Sequence, residues 1–206
     1  MDIYKLVITN LKSGVKNPER VNVYVNNEYA FSLSVAQVVD LGVKVGKIID
    51  DSELAQLKQE SEFGKIYQRA LEWVLTRPRS EKETREYLKN KLRQPSSGFI
   101  DDTIEKFYSR GYLDDRKFAE WYVENRFVKK GVSAKRLRME LMKKGVAKDI
   151  IDTILEESER SDEDEIRKMI TKKRIKYTDE KLIQYLCRQG FPYELVRELV
   201  LTSGMD

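Results

Sequence analysis

The stretch SAKRLRMELMKKGV, residues 133–146, decides how the rest of the chain is read. Ser133 is suited to an N-cap, because its hydroxyl can satisfy an orphan backbone N–H. On a helical projection Ala134, Leu137 and Leu141 share one face, while Lys135, Arg136, Met139 and Lys143 lie opposite. Gly145 follows, a residue that ends helices. The same frame recurs as SEKETREYLKNKL from Ser80 and TDEKLIQYLCRQGF from Thr178. Eight residues after each cap stands a leucine: Leu88, Leu141 and Leu186. Gly145 and Gly190 share one offset, where the first copy has Leu92 and runs on to a Pro-Ser-Ser-Gly loop at 95–98. Ser80 and Glu83 form a capping-box pattern.

Each copy is flanked by helix-like segments. KIYQRALEWVLTR, DRKFAEWYVENRFVKK and DEDEIRKMITKKR precede them; FIDDTIEKFYSRG, AKDIIDTILEE and PYELVRELVL follow. The pattern predicts three tandem three-helix units, at 51–110, 111–158 and 159–206, with cap-to-cap periods of 53 and 45 residues. Such units are stabilised partly by their neighbours. The expected fold is mainly α: an elongated, curved arm of three-helix repeats.

Residues 1–50 read differently. IYKLVITNLK and RVNVYVNNEYAFSLS are rich in β-branched and aromatic residues with period-two stretches, predicting a small β-rich head. Asn26-Asn27 suits a hairpin turn, since Asn tolerates positive φ. Two registers are open. A two-residue loop pairs Tyr24 with Tyr29. A three-residue loop places Val21, Val23 and Val25 on one face with Tyr29, Phe31 and Leu33. VAQVVDLGV predicts a short helix stopped at Gly42, and KVGKIIDD another strand.

The chain has 206 residues with a net charge of +4, and 36% of them are charged, against roughly 25% in an average globular protein. Up to Glu62 acidic residues outnumber basic ones, so the positive excess lies in the remainder. That asymmetry suggests a polyanionic or acidic partner. The single cysteine, Cys187, excludes an internal disulfide framework and fits a reducing cytoplasm. With no histidine, Ser-His-Asp and Cys-His centres and imidazole zinc sites are excluded. No apolar run reaches the roughly 20 residues that span a membrane, and the N-terminus lacks the pattern of a signal peptide. A cytoplasmic protein with no membrane association is expected.

Three Asp-Asp pairs invite a catalytic reading: 50–51, 101–102 and 114–115. All are expected near helix starts, where carboxylates cap and suit the dipole. Asp114 is read as an N-cap and Asp115 as a first-turn residue. A metal-dependent nuclease would need further carboxylates converging in space. After them, Phe118, Ala119, Tyr122 and Val123 fall on one helical face, with Trp121 off that stripe and expected to pack between units.

GYLDDRKFAEWYVENRFVKKGVSAKRLRMELMKKGV, residues 111–146, closely resembles the signature of the RecX family, bacterial regulators of the RecA recombinase. The matching positions include the Gly-aromatic-Leu-Asp-Asp entry to a Phe-Ala helix, Arg126, Gly131, Arg136, Leu137, Glu140, Leu141, Lys144 and Gly145. RVNVYVNNEYAFSLS and VGKIIDDSEL resemble the strand-bearing extension of longer members, with Asn-Asn where Asp-Gly is common; LTRPRSEKETREYL resembles the first repeat, and the third is looser.

A non-enzymatic monomer without metal or cofactor is expected, and the resemblance implies what it would do. It would bind the RecA filament and single-stranded DNA, with weak double-stranded DNA binding left open. Filament extension, strand exchange, ATP hydrolysis and co-protease activity would fall. Charge marks where this could be done. Residues 129–144 hold Lys129, Lys130, Lys135, Arg136, Arg138, Lys143 and Lys144 against one acid, Glu140, expected to pair with Arg136 and Lys144. A second cluster contains Arg167, Lys168, Lys172, Lys173, Arg174 and Lys176, with no acid in 166–177. Between them an acidic run from Glu156 to Glu165 is expected to be a solvated junction. The predicted partner contacts are Arg126, Lys129, Lys130, Lys135, Arg136, Met139, Lys143, Lys144, Lys172, Lys173 and Arg174; the predicted caps are Ser80, Asp114, Ser133 and Thr178. A stand-alone DNA-binding regulator and a scaffold of repeats remain rival readings.

Overall fold

The computed structural model describes residues 5–15, 17–92, 96–129, 131–158 and 161–203. Asn26 and Asn27 take φ of 49° and 70°, the pair of positive values that a type I′ turn requires. They join β2 (Arg20–Val25) to β3 (Glu28–Ser34), with Val25 opposite Glu28 and Tyr24 opposite Tyr29. The register then shifts, so that Val23 faces Phe31 and Val21 faces Leu33. Both open registers are therefore used, one at the tip and the other beyond the irregularity. The tight turn is satisfied first, and the bulge then aligns the apolar residues. β1 (Leu6–Ser13) and β4 (Ile48–Ile49) complete an antiparallel sheet of order β3-β2-β1-β4.

The short helix α1 (Val35–Asp40) has a Ser34–Gln37 capping box and Gly42 just beyond it at φ 58°. Helix α2 (Asp51–Leu75) starts where the Asp50 carboxylate accepts from the Glu53 amide at 2.7 Å. Ile8, Val23, Val25, Phe31, Leu33, Val43 and Ile49 form the head's core, joined by Leu57 of α2. Ser61 of α2 donates to the Ser32 carbonyl at 2.6 Å.

The remaining helices are α3 (Glu81–Lys91), α4 (Ser97–Ser109), α5 (Asp115–Lys129), α6 (Ala134–Lys143), α7 (Lys148–Glu157), α8 (Asp162–Lys173), α9 (Asp179–Arg188) and α10 (Tyr193–Thr202). The chain forms two compact units. One comprises residues 1–73 with 88–103, and the other 74–87 with 104–206. In the second, α5–α7 enclose a core of Phe118, Ala119, Val123, Leu137, Leu141, Ile151 and Ile154. Another core, of Ile166, Met169, Ile170, Leu182, Leu186, Val196 and Val200, lies within α8–α10. The fold is mainly helical with an N-terminal β head, as the patterning predicts. Leu88, Leu141 and Leu186 are all fully buried. Trp121 packs against the α5–α7 core, with the Arg77 guanidinium over its ring at 4.7 Å.

Gly145 and Gly190 close α6 and α9 with φ of 86° and 95°. The amides of Val146 and Phe191 reach back to the carbonyls of Leu141 and Leu186, and those of the two glycines bond to Met142 and Cys187. Two expectations are corrected. Asp101 and Asp102 lie in the second turn of α4, whose entry is capped by Ser96 accepting from the Phe99 amide. Thr178 holds the N-cap position of α9 but makes no side-chain capping bond.

Candidate partner interface

The second compact unit is built around a junction that occurs twice. Ser80 Oγ accepts from the Glu83 amide at 3.1 Å and donates to the Lys144 carbonyl at 2.8 Å. Ser133 Oγ accepts from the Arg136 amide at 3.2 Å and donates to the Gln189 carbonyl at 3.4 Å. Each serine is fully buried and serves two helices. It caps the start of one and satisfies an orphan carbonyl at the end of the other. Thr178 occupies the corresponding place in the last repeat, where no further such helix end is described.

Carboxylates complete the junctions. Asp115 accepts from the Glu81 amide at 2.9 Å, and Asp162 accepts from the Ala134 amide at 2.8 Å. Burial pushes the pKa of both upward, against the pull of those amides. Asp114 does cap its own helix, accepting from the Arg116 and Lys117 amides. Asp115 has a second task that its place in a first turn did not reveal: it caps the helix of the preceding repeat. The acidic run is likewise not simply a solvated junction. Glu165 is buried, with Lys168 3.2 Å away, and Ser161 and Asp164 form a capping box.

Glycine is needed here for close approach as well as for φ. A Cβ on Gly145 would come within 2.7 Å of Lys82 Cβ, and one on Gly190 within 2.5 Å of Ser133 Oγ.

Several predicted contact residues have partners within the chain. Lys144 pairs with Glu83 at 2.5 Å rather than with Glu140. Glu83 is the more buried acid at that point, and its desolvated charge needs a partner. Arg136, at the place equivalent to Glu83, reaches the Gln189 side chain at 3.1 Å and the Arg188 carbonyl at 3.4 Å. Arg126 grips Glu140 with two hydrogen bonds, at 2.8 and 2.7 Å. Tyr122 and Arg136 add bonds of 2.9 and 3.1 Å to the same carboxylate. The Arg126 bond, helped by those from Tyr122 and Arg136, outweighs burial and pulls the Glu140 pKa down to about 2. The corresponding place in repeat 3 holds Lys173, whose ammonium lies 4.5 Å from the Tyr185 ring centroid and 5.5 Å from that of Tyr177. Arg174 is tied to Ser203, Val200 and Asp179.

What α6 turns to solvent is narrower than the seven cations suggested. Lys135 and Lys143 are exposed, and Met139 and Met142 are 53% and 54% exposed. At i, i+4, i+7 and i+8 these four lie along one stripe. Arg138, beside it, is held by Asp152 at 2.7 Å. Met142 was missed because composition singles out charges, whereas an exposed methionine shows itself only once the buried face is known. Lys172 is exposed on α8. Lys130 and the side chain of Lys129 lie outside the described residues.

Among the described residues, no three carboxylate or thiol side chains are grouped to hold a metal ion. No described helix is long and apolar enough to cross a membrane.

Comparison with known proteins places this architecture. Residues 6–50 match the model of the regulatory protein RecX N-terminal domain, and residues 114–155 that of the RecX second three-helix domain. Regulatory protein RecX of Bacillus velezensis is 31% identical over 199 residues, covering 92% of this chain and 74% of the relative. That of a Geobacillus species is 32% identical over 209 residues, covering 96% and 76%. A crystal structure titled regulatory protein RecX superposes with a TM-score of 0.72 at 21% identity, covering 94% of this chain and 98% of that one. RecX from Lactobacillus salivarius gives 0.56 at 20% identity, covering 70% and 98%. On identity sustained across nearly its whole length, the chain belongs to the RecX family of regulatory proteins.

Proposed function

We propose that this protein is a negative regulator of a RecA-type recombinase, acting on the recombinase filament assembled on single-stranded DNA. Family membership supports the regulatory role. The observation that carries the site is the solvent-facing α6 stripe of Lys135, Met139, Met142 and Lys143. Two lysines framing two flexible thioethers suit a surface that is acidic or phosphate-rich at its rim and apolar between. Lys172 of repeat 3 adds a separate cation, and weak modules on one chain combine by avidity. In this reading, occupation of the filament groove lowers filament extension, strand exchange, ATP hydrolysis and co-protease activity. Such binding leaves blocked growth and accelerated disassembly as two open routes to inhibition.

Lysines serve this role better than the arginines nearby. Arg126, Arg136 and Arg174 already have fixed partners within the chain. Lysine offers a mobile point charge suited to phosphate, without the fixed fork that reads base edges. The test is co-sedimentation with RecA on single-stranded DNA, against RecA alone and DNA alone. Preference for the assembled filament is expected; equal binding to bare DNA contradicts the proposal.

A further inference from the structure

Repeat 1 offers four positions to the repeat that follows it, and all four are engaged. Three residues before the cap, the Arg77 guanidinium lies over the Trp121 ring at 4.7 Å. At the cap, Ser80 Oγ donates to the Lys144 carbonyl at 2.8 Å. One residue on, the Glu81 amide donates to Asp115 at 2.9 Å. Three residues after the cap, Glu83 pairs with Lys144, the residue before the stop glycine Gly145. Repeat 2 meets repeat 3 in the same register. Ser133 donates to the Gln189 carbonyl and the Ala134 amide to Asp162, while Arg136 donates to the side chain of Gln189, the residue before Gly190.

Repeat 3 carries the same four positions at Ile175, Thr178, Asp179 and Lys181. Ile175 is 92% exposed. Thr178 is exposed, and its hydroxyl makes no capping bond. Among the described residues, no carboxylate of another helix meets the Asp179 amide, and exposed Lys181 has no ion-pair partner. An exposed aliphatic residue or a bare helix start is ordinary taken singly. Together, in a register filled at both other repeats, they form one half of a repeat junction.

We infer that this face docks a helix of another protein that is stopped by glycine, with a carboxylate on the residue immediately before that glycine. Glycine is required because both existing junctions bring the helix end too close for a side chain. A Cβ on Gly145 would lie 2.7 Å from Lys82 Cβ, and one on Gly190 2.5 Å from Ser133 Oγ. The carboxylate follows from the position three residues after the cap. Glu83 meets a cation there and Arg136 an amide oxygen, so Lys181 calls for an acceptor, and an anion is its strongest one. The Thr178 hydroxyl donates to the orphan carbonyl of the arriving helix end. Ile175 adds an apolar contact where Arg77 of repeat 1 lies on Trp121. A second copy of this chain does not match. Its α6 and α9 ends are seated in its own junctions, and the place after α3 holds Leu92 instead of glycine. Gly42 and Gly111, beyond α1 and α4, follow Leu41 and Arg110, neither of them an anion. The repeat register carries this inference, independently of the α6 stripe.

The test is a nuclear magnetic resonance titration of the full, isotope-labelled chain with side-chain-stapled helical peptides. One ends in Glu-Gly-Val, and two controls end in Lys-Gly-Val and Glu-Ala-Val. Saturable amide shifts confined to residues 175–182 are expected with the first, and weaker binding with both controls. Lys181→Glu, at an exposed site, should reverse the preference between the Glu-Gly and Lys-Gly peptides, each by about three- to fivefold, the range of an exposed ion pair. Thr178→Val should weaken both without changing their order. The inference is overturned if no saturable shift appears at residues 175–182, if the three peptides bind alike, or if Lys181→Glu leaves the order unchanged. Concentration-dependent dimers in sedimentation that Lys181→Glu abolishes would assign the face to a second copy and also refute it.

Discussion

Glu140→Gln separates the residues that hold repeat 2 together from those that could meet a partner. The Glu140 carboxylate accepts from Tyr122, twice from Arg126 and once from Arg136, with its side chain 19% exposed. Glutamine keeps one acceptor oxygen and turns amide hydrogens towards two guanidinium groups. Hydrogen bonds to a charged group contribute about 1.5–3 kcal/mol each. Partial exposure and the retained oxygen argue for the low end, giving a net loss of about 2 kcal/mol. For a chain of this size that lowers the melting temperature by roughly 4–8 °C.

The pH dependence carries a definite sign. With a folded pKa of about 2, below the ordinary glutamate value near about 4.3, ionised Glu140 stabilises the folded state fully above that ordinary value. The contribution is lost as pH falls from there towards the folded pKa. Urea denaturation of both proteins should therefore show a gap at neutral pH that closes by roughly pH 2. Equal stability at neutral pH, or a gap that persists in acid, refutes the assignment of Arg126 and Arg136 as struts on this carboxylate.

Leu141→Ala should cost about 2–5 kcal/mol, read by denaturant midpoint, because the side chain is fully buried. Asp162→Ala should destabilise the repeat junction by about 0.5–2 kcal/mol through loss of the Ala134 cap, whereas Asp162→Asn keeps an acceptor and removes a buried charge. A similar loss for both in thermal melts would show that charge, not the acceptor, matters. Asp114→Asn should leave folding and inhibition nearly intact, while Asp114→Ala loses about 0.5–2 kcal/mol in the same assay.

Legibility in the sequence followed locality. Ser133, Leu141 and Gly145 lie within one short segment, so cap, buried face and stop could be read from spacing. The hairpin resisted a single register because the structure uses two, separated by an irregularity after the turn. The junctions were hidden for a different reason. Ser80 and Lys144 are 64 residues apart, and Ala134 and Asp162 are 28 apart. Nothing in either local segment names its partner. A trace of them was present: each middle or last repeat opens its first helix with an aspartate, Asp115 or Asp162, beyond what its own helix needs. Formal charge does not distinguish a lysine in solvent from an arginine already paired. Arg126, Arg136, Lys144 and Arg174 all carry the charge that composition reports, and all spend it within the chain.

The most direct test of the proposed role is inhibition of RecA strand exchange by the variant combining Lys135→Glu with Lys143→Glu. Both side chains are exposed and make no described contact within the fold, so the melting temperature should be unchanged. Reversing them should weaken filament binding and raise the concentration needed for inhibition. The defect should shrink as salt rises, since exposed charges are screened over about 10 Å at 0.1 M. A folded double variant that inhibits strand exchange at the concentration of the unmodified protein contradicts the account and removes the α6 stripe from the mechanism.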